Sequence, residues 1–286
     1  MNNLLIQLTG ALVLLAAIGW GYTHWVRRHA DGIEAKLLLM LLILTLTGGF
    51  IGSVGWWIDD TNAFSWDLPP LASRMLGAAG WAFGAAALMA LRRPVETRIR
   101  LILLMLSLYL VPLAGAIVAF HLDRFDFSAP IAYAFFGIVI AMIVPTLWFL
   151  FRRPVIIADS AWEVAPPTVS TRNWLAFVAL VTGVWAIALF VSDRGPVASV
   201  WVWPGDLLTS RLIAVMLLTI AAACAASVRA AGAARMTLAV MMVYGFGVVL
   251  AGLLNLAAGK PVPALYTLSF AGIGLVSAFL FNRQAS

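Results

Sequence analysis

Residues 66–74 read Trp-Asp-Leu-Pro-Pro-Leu-Ala-Ser-Arg, and residues 203–211 read Trp-Pro-Gly-Asp-Leu-Leu-Thr-Ser-Arg. At an offset of 137, Trp66 aligns with Trp203, Ser73 with Ser210 and Arg74 with Arg211. Each stretch leads into a long apolar run, so the likeness extends outward. Arg98 aligns with Arg235, and Ala114-Gly115 with Ala251-Gly252. With small gaps, His121-Leu122 matches Asn255-Leu256, Pro130 and Tyr133 match Pro263 and Tyr266, and Phe149-Leu150-Phe151 matches Phe279-Leu280-Phe281. The shared order of these matches is the signature of an internal repeat.

The apolar runs decide the solvent. Of 286 residues, 63% are hydrophobic and only 10% are charged, against about 25% charged in a soluble domain. A soluble fold of this size has no place to hide so much apolar surface. A span needs about 20 apolar residues to cross about 30 Å of hydrocarbon. Nine segments qualify: 4–26, 37–58, 70–91, 99–120, 129–151, 174–192, 207–228, 236–257 and 262–282. They are continuous rather than alternating, which selects helices over a barrel.

The loops order these spans. One set holds Arg27, Arg28, Lys36, Arg92, Arg93, Arg98, Arg100, Arg152, Arg153, Arg172, Arg229, Arg235 and Arg283. The other holds only Arg124, Arg194 and Lys260. By the positive-inside rule the N-terminus is expected outside and the C-terminus in the cytoplasm of a bacterial cell. The segment 4–26 is too long for a signal-peptide core and its arginines follow it, so it is expected to be retained. The net charge of +6 then serves topology and anionic headgroups rather than nucleic acid.

The expected fold is an all-α integral membrane protein of about nine transmembrane helices, one helix plus two parallel four-helix repeats. Its expected divisions are 1–36 for the extra helix and its loop, 37–151 for the first repeat, 152–173 for a cytoplasmic linker, and 174–286 for the second repeat. Because four is even, the repeats share one orientation across the membrane.

Arg74 and Arg211 are the leading candidate ligand residues. Each sits about one turn inside its helix, where the positive end of the helix dipole and loss of water both disfavour a cation. Compensation is expected from Asp59, Asp60, Asp67 or Asp206, from a lipid phosphate, or from an anionic ligand. Trp66 and Trp203 complete the candidate set. With Trp56, Trp57, Phe64 and Trp201 they form either an interfacial belt or the wall of a pocket. Gly48 and Gly52, and Gly80 and Gly84, have the spacing of close helix packing.

Several chemistries lack support. Three histidines, His24, His29 and His121, cannot provide two facing haem ligands at one depth. A single cysteine, Cys224, makes neither an internal disulfide nor a paired-cysteine metal site. No nucleophile motif or phosphate loop is present. No cofactor, metal or catalytic residue is therefore expected, and the chain is not expected to be an enzyme.

Three function classes follow. The first is a non-catalytic accessory, assembly or ligand- or lipid-binding component of a membrane complex, with lipid or other membrane subunits as partners. The second is a permease for a small anionic or amphipathic solute, with an arginine-containing cavity between the repeats. The third is a lipid-directed enzyme at the outer surface, using Asp59, Asp60, Asp67, Asp123 or His121.

Overall fold

The computed structural model describes residues 2–60, 68–128, 130–192 and 207–284, with side chains from residue 9 onward and without that of residue 131. Among these residues the chain is all-α, apart from one isolated bridge between Val95 and Ile157. Helix α1, Asn2–Gly21, continues through a π turn at Tyr22–Val26 into Arg27–His29. Eight further helices are long and apolar enough to cross a membrane. They are α2 (Ile33–Trp57), α3 (Pro70–Arg92), α4 (Glu96–Phe120), α5 (Pro130–Arg152), α7 (Val169–Val191), α8 (Leu207–Ser227), α9 (Ala231–Ala257) and α10 (Ala264–Arg283). The short α6, Ala161–Val164, lies in the segment between α5 and α7.

In lipid every backbone amide must bond within its own segment, so long apolar runs become helices. Their starts carry the expected signals. Pro70 sits at the first position of α3, where its missing N–H costs nothing. Thr168 caps α7 by accepting from Thr171 N. Helices α2, α4, α7 and α9 each begin three to five residues before the expected apolar span. Each expected span starts after a basic residue, Lys36, Arg98, Arg172 or Arg235, which interrupts an apolar run without ending a helix, because Lys and Arg favour helix.

Four helices form the centre. Helix α3 packs between α2 and α9, and α8 packs between α7 and α4. Helix α5 covers α4, and α10 covers α9. The α2–α3, α3–α4 and α4–α5 pairings have counterparts in α7–α8, α8–α9 and α9–α10, and the two repeats interlock across the α3–α9 and α4–α8 contacts. Burial follows this plan: 83% of the α8 span is buried, against 17% of α5. Outward faces of α5, α7 and α10 expose large apolar side chains such as Ile138, Leu180 and Leu268.

Close crossings use glycine. A Cβ on Gly49 would lie 2.8 Å from the Gly84 nitrogen, so the π turn of α2 and α3 meet backbone to backbone. The expected Gly48 and Gly52 face open space, and Gly49 between them makes the contact. Indole Trp57 also turns inward instead of joining an interfacial belt. Its ring packs at 4.6 Å on Trp81, and its Nε1 would lie 2.8 Å from a Cβ on Gly77.

The expected linker 152–173 is a folded strap. Ile157 N donates to Pro94 O at 3.2 Å. Asp159 accepts from Thr97 N at 3.1 Å and from Thr97 Oγ1 at 2.6 Å. Ala231 N donates to Ala165 O at 2.7 Å. These bonds satisfy first-turn amides of α4 and α9 that a helix start leaves open. Glu163, fully buried, accepts from Arg98 Nε at 3.2 Å and from Arg98 Nη2 at 2.9 Å. Arg93 approaches it at 3.5 Å. A Cβ on Gly232 would lie 2.8 Å from the Glu163 carboxyl carbon, so only glycine lets the strap close onto α9. Arg98, expected as a solvated loop cation, is thus a buried anchor.

Candidate functional site

The strap, Glu34, Arg152, Arg235 and Arg283 gather at one end of the bundle, here the basic end. Arg74 and Arg211 lie at the opposite end. There the last turns of α4, α7 and α9 meet the first turns of α3 and α8.

Arg211 is held from two sides. Its Nε donates to Phe190 O at 3.2 Å, a carbonyl in the last turn of α7, where helix carbonyls lack internal partners. Its Nη1 lies 2.7 Å from His121 Nε2. A guanidinium has no acceptor, so Nη1 donates and His121 accepts as a neutral imidazole with its proton on Nδ1. The guanidinium carbon lies 4.5 Å from the Phe120 ring centre and 5.6 Å from that of Phe190, within cation–π reach. The side chain is buried, and these contacts replace lost water.

Arg74 is held more loosely. Its Nη1 donates to Asn255 Oδ1 at 3.4 Å, and its buried Nε has no hydrogen-bond partner among the described residues. Asn255 is itself fixed, donating from Nδ2 to Pro261 O at 2.9 Å. The neighbouring Ser73 donates to Trp56 O at 2.8 Å, whereas Ser210 Oγ is buried without a partner.

The two arginines therefore cross over. Arg74 of the first repeat reaches the end of α9 in the second, and Arg211 of the second reaches the end of α4 in the first. Among the described residues neither arginine forms an ion pair with a carboxylate. Asp59 and Asp60, two of the candidates for that role, follow the end of α2, and no ion pair between them and either arginine is present among the described residues. The candidates Trp66, Asp67, Trp203 and Asp206 lie outside the described residues, as do Phe64 and Trp201. Sequence reasoning paired His121 with Asn255 by alignment but did not assign either one to an arginine.

Six buried hydroxyls inside the spans are engaged by their own helices. Thr45, Thr47, Ser53, Ser107, Thr182 and Thr219 each donate to the carbonyl four residues back, a local bond that occupies the donor. The Tyr244 and Tyr266 hydroxyls pair at 2.8 Å. Buried Cys224 lies 3.5 Å from Met241 Sδ. None of these contacts sets a nucleophile beside a general base.

Comparison with protein-family models, curated proteins and solved structures finds no match to the chain.

Proposed function

We propose that this chain is a non-catalytic accessory or assembly component of a membrane complex. The observation that carries this reading is the use made of its polar groups. Six buried span hydroxyls bond within their own helices, and both arginines join one repeat to the other. Wide apolar faces on α5, α7 and α10 leave room for lipid and for another membrane subunit. The test is purification of the full chain from native membranes in mild detergent. A stoichiometric membrane partner supports the reading. A chain that runs alone and carries a small organic anion across proteoliposomes overturns it.

Transport of a small anionic or amphipathic solute is the second reading. It is favoured by the buried Arg74 Nε that lacks a partner. It requires solute binding that Arg74→Ala and Arg211→Ala abolish.

The proposed setting is a bacterial cell membrane, with the basic end in the cytoplasm and the N-terminus outside. Cys224 is buried, so added cysteines report cleanly. Ser128→Cys should react with an impermeant maleimide on intact cells, and Ser170→Cys only after permeabilisation. The reverse pattern would invert the topology.

A further inference from the structure

Between α2 and α5 an open groove of about 550 Å³ faces outward near the basic end. Buried Leu41 and Phe149 form its floor, and exposed Leu37 and Trp148 stand as its walls. Glu34 marks its mouth, and Leu44 and Ala141 its deep end. Ten residues of α2 separate Glu34 from Leu44, about 15 Å of helix rise. That is half of the roughly 30 Å hydrocarbon thickness. The groove is therefore one leaflet deep. A partner helix crossing the membrane would need a groove twice as long, whereas an acyl chain from one leaflet fits.

Charge at the mouth selects the headgroup. The Arg152 guanidinium stacks on Trp148 at 5.1 Å and meets Glu34 at 3.6 Å through Nη2. The side chain is exposed beyond these contacts, and a guanidinium fork is suited to phosphate. Arg153 follows with φ of 52°, its N donating to Phe149 O at 2.9 Å. This left-handed position closing a helix is one that glycine ordinarily fills. An arginine here accepts backbone strain, and it sets a second, exposed cation next to Arg152 in the chain.

We propose that this groove seats an acyl chain of an anionic phospholipid from the leaflet at the basic end, with the lipid phosphate held by Arg152 and Arg153. The site goes beyond the function proposed above and does not depend on any protein partner. A negative partner search leaves it standing, and its own failure leaves the accessory role standing.

The test uses the full chain in detergent, with native mass spectrometry after addition of phosphatidylglycerol or phosphatidylcholine. The wild-type chain should retain one phosphatidylglycerol in clear preference to phosphatidylcholine. Arg153→Gly removes the cation and relieves the backbone, so thermal stability should hold or rise. Its phosphatidylglycerol affinity should fall about fivefold, the worth of roughly one cation near an anionic headgroup. Val144→Trp fills the exposed groove wall without entering the core. It should displace the lipid at unchanged thermal stability. Equal retention of the two lipids by wild type, or unchanged phosphatidylglycerol retention in both variants, would overturn the proposal.

Discussion

The two repeats are joined at both ends of the bundle, but by different chemistry. At the basic end a buried carboxylate, Glu163, meets Arg98 through two short bonds and sits against Gly232. At the opposite end two arginines meet neutral acceptors, Asn255 and His121, across the repeat boundary. A buried ion pair loses much when one partner is removed, because the other charge is left stranded. An arginine on a neutral acceptor loses only its hydrogen bond and packing. The ends should therefore differ in how hard they are to break.

The largest effect is expected at the strap. Glu163→Ala strands Arg98 and should cost about 3–5 kcal/mol of stability, read as a lower midpoint in detergent-mediated unfolding. A cost below about 1 kcal/mol would mean that the strap does not hold the basic end. Gly232→Ala tests the same contact from the other side. Its methyl group must displace the carboxylate, and about 1–3 kcal/mol is expected, as for overpacking. If Gly232→Ala is silent, Glu163 does not rest on the start of α9.

The opposite end gives smaller and unequal effects. Arg211→Leu gives up bonds to Phe190 O and His121, an expected loss of about 1.5–3 kcal/mol for a charged donor. Arg74→Leu gives up one long bond and should cost less, about 0.5–1.5 kcal/mol. Equal losses would remove the distinction between the two latches.

The smallest effect is expected from exchanging one neutral acceptor for another. His121→Asn copies the Arg74 latch into the second position and should cost less than about 1 kcal/mol, read from the unfolding midpoint. A loss as large as that of Arg211→Leu would show that the imidazole ring holds Arg211 by more than its acceptor nitrogen.

The spans were legible because lipid imposes one rule on every residue of a run. Their ends at the far side match within about two residues, while basic-end starts lie further out because polar helix formers extend them. The first expected span, 4–26, is helical from Asn2 onward. Arg74 and Arg211 were legible as a repeated oddity, and the His121–Asn255 match was legible as alignment. Their crossing was not, since the paired residues lie 181 and 90 positions apart. Periodicity reports which face of a helix is buried, not which helix it meets. Glu163 was hidden for a similar reason: a carboxylate in a proline-rich segment reads as a solvated loop until its arginine is placed beside it. Trp57 misled because its residue type suits an interface, and only the bare surface of Gly77 lets it turn inward.

The most direct test of crosswise joining is a double-mutant cycle on Arg211 and His121, using Arg211→Leu, His121→Ala and the pair, unfolded in mixed micelles at pH 8. The expected coupling is about 1–2 kcal/mol, the scale of a hydrogen bond from a charged donor. Additive losses at pH 8, within about 0.5 kcal/mol, would contradict the joining of the two repeats through this pair.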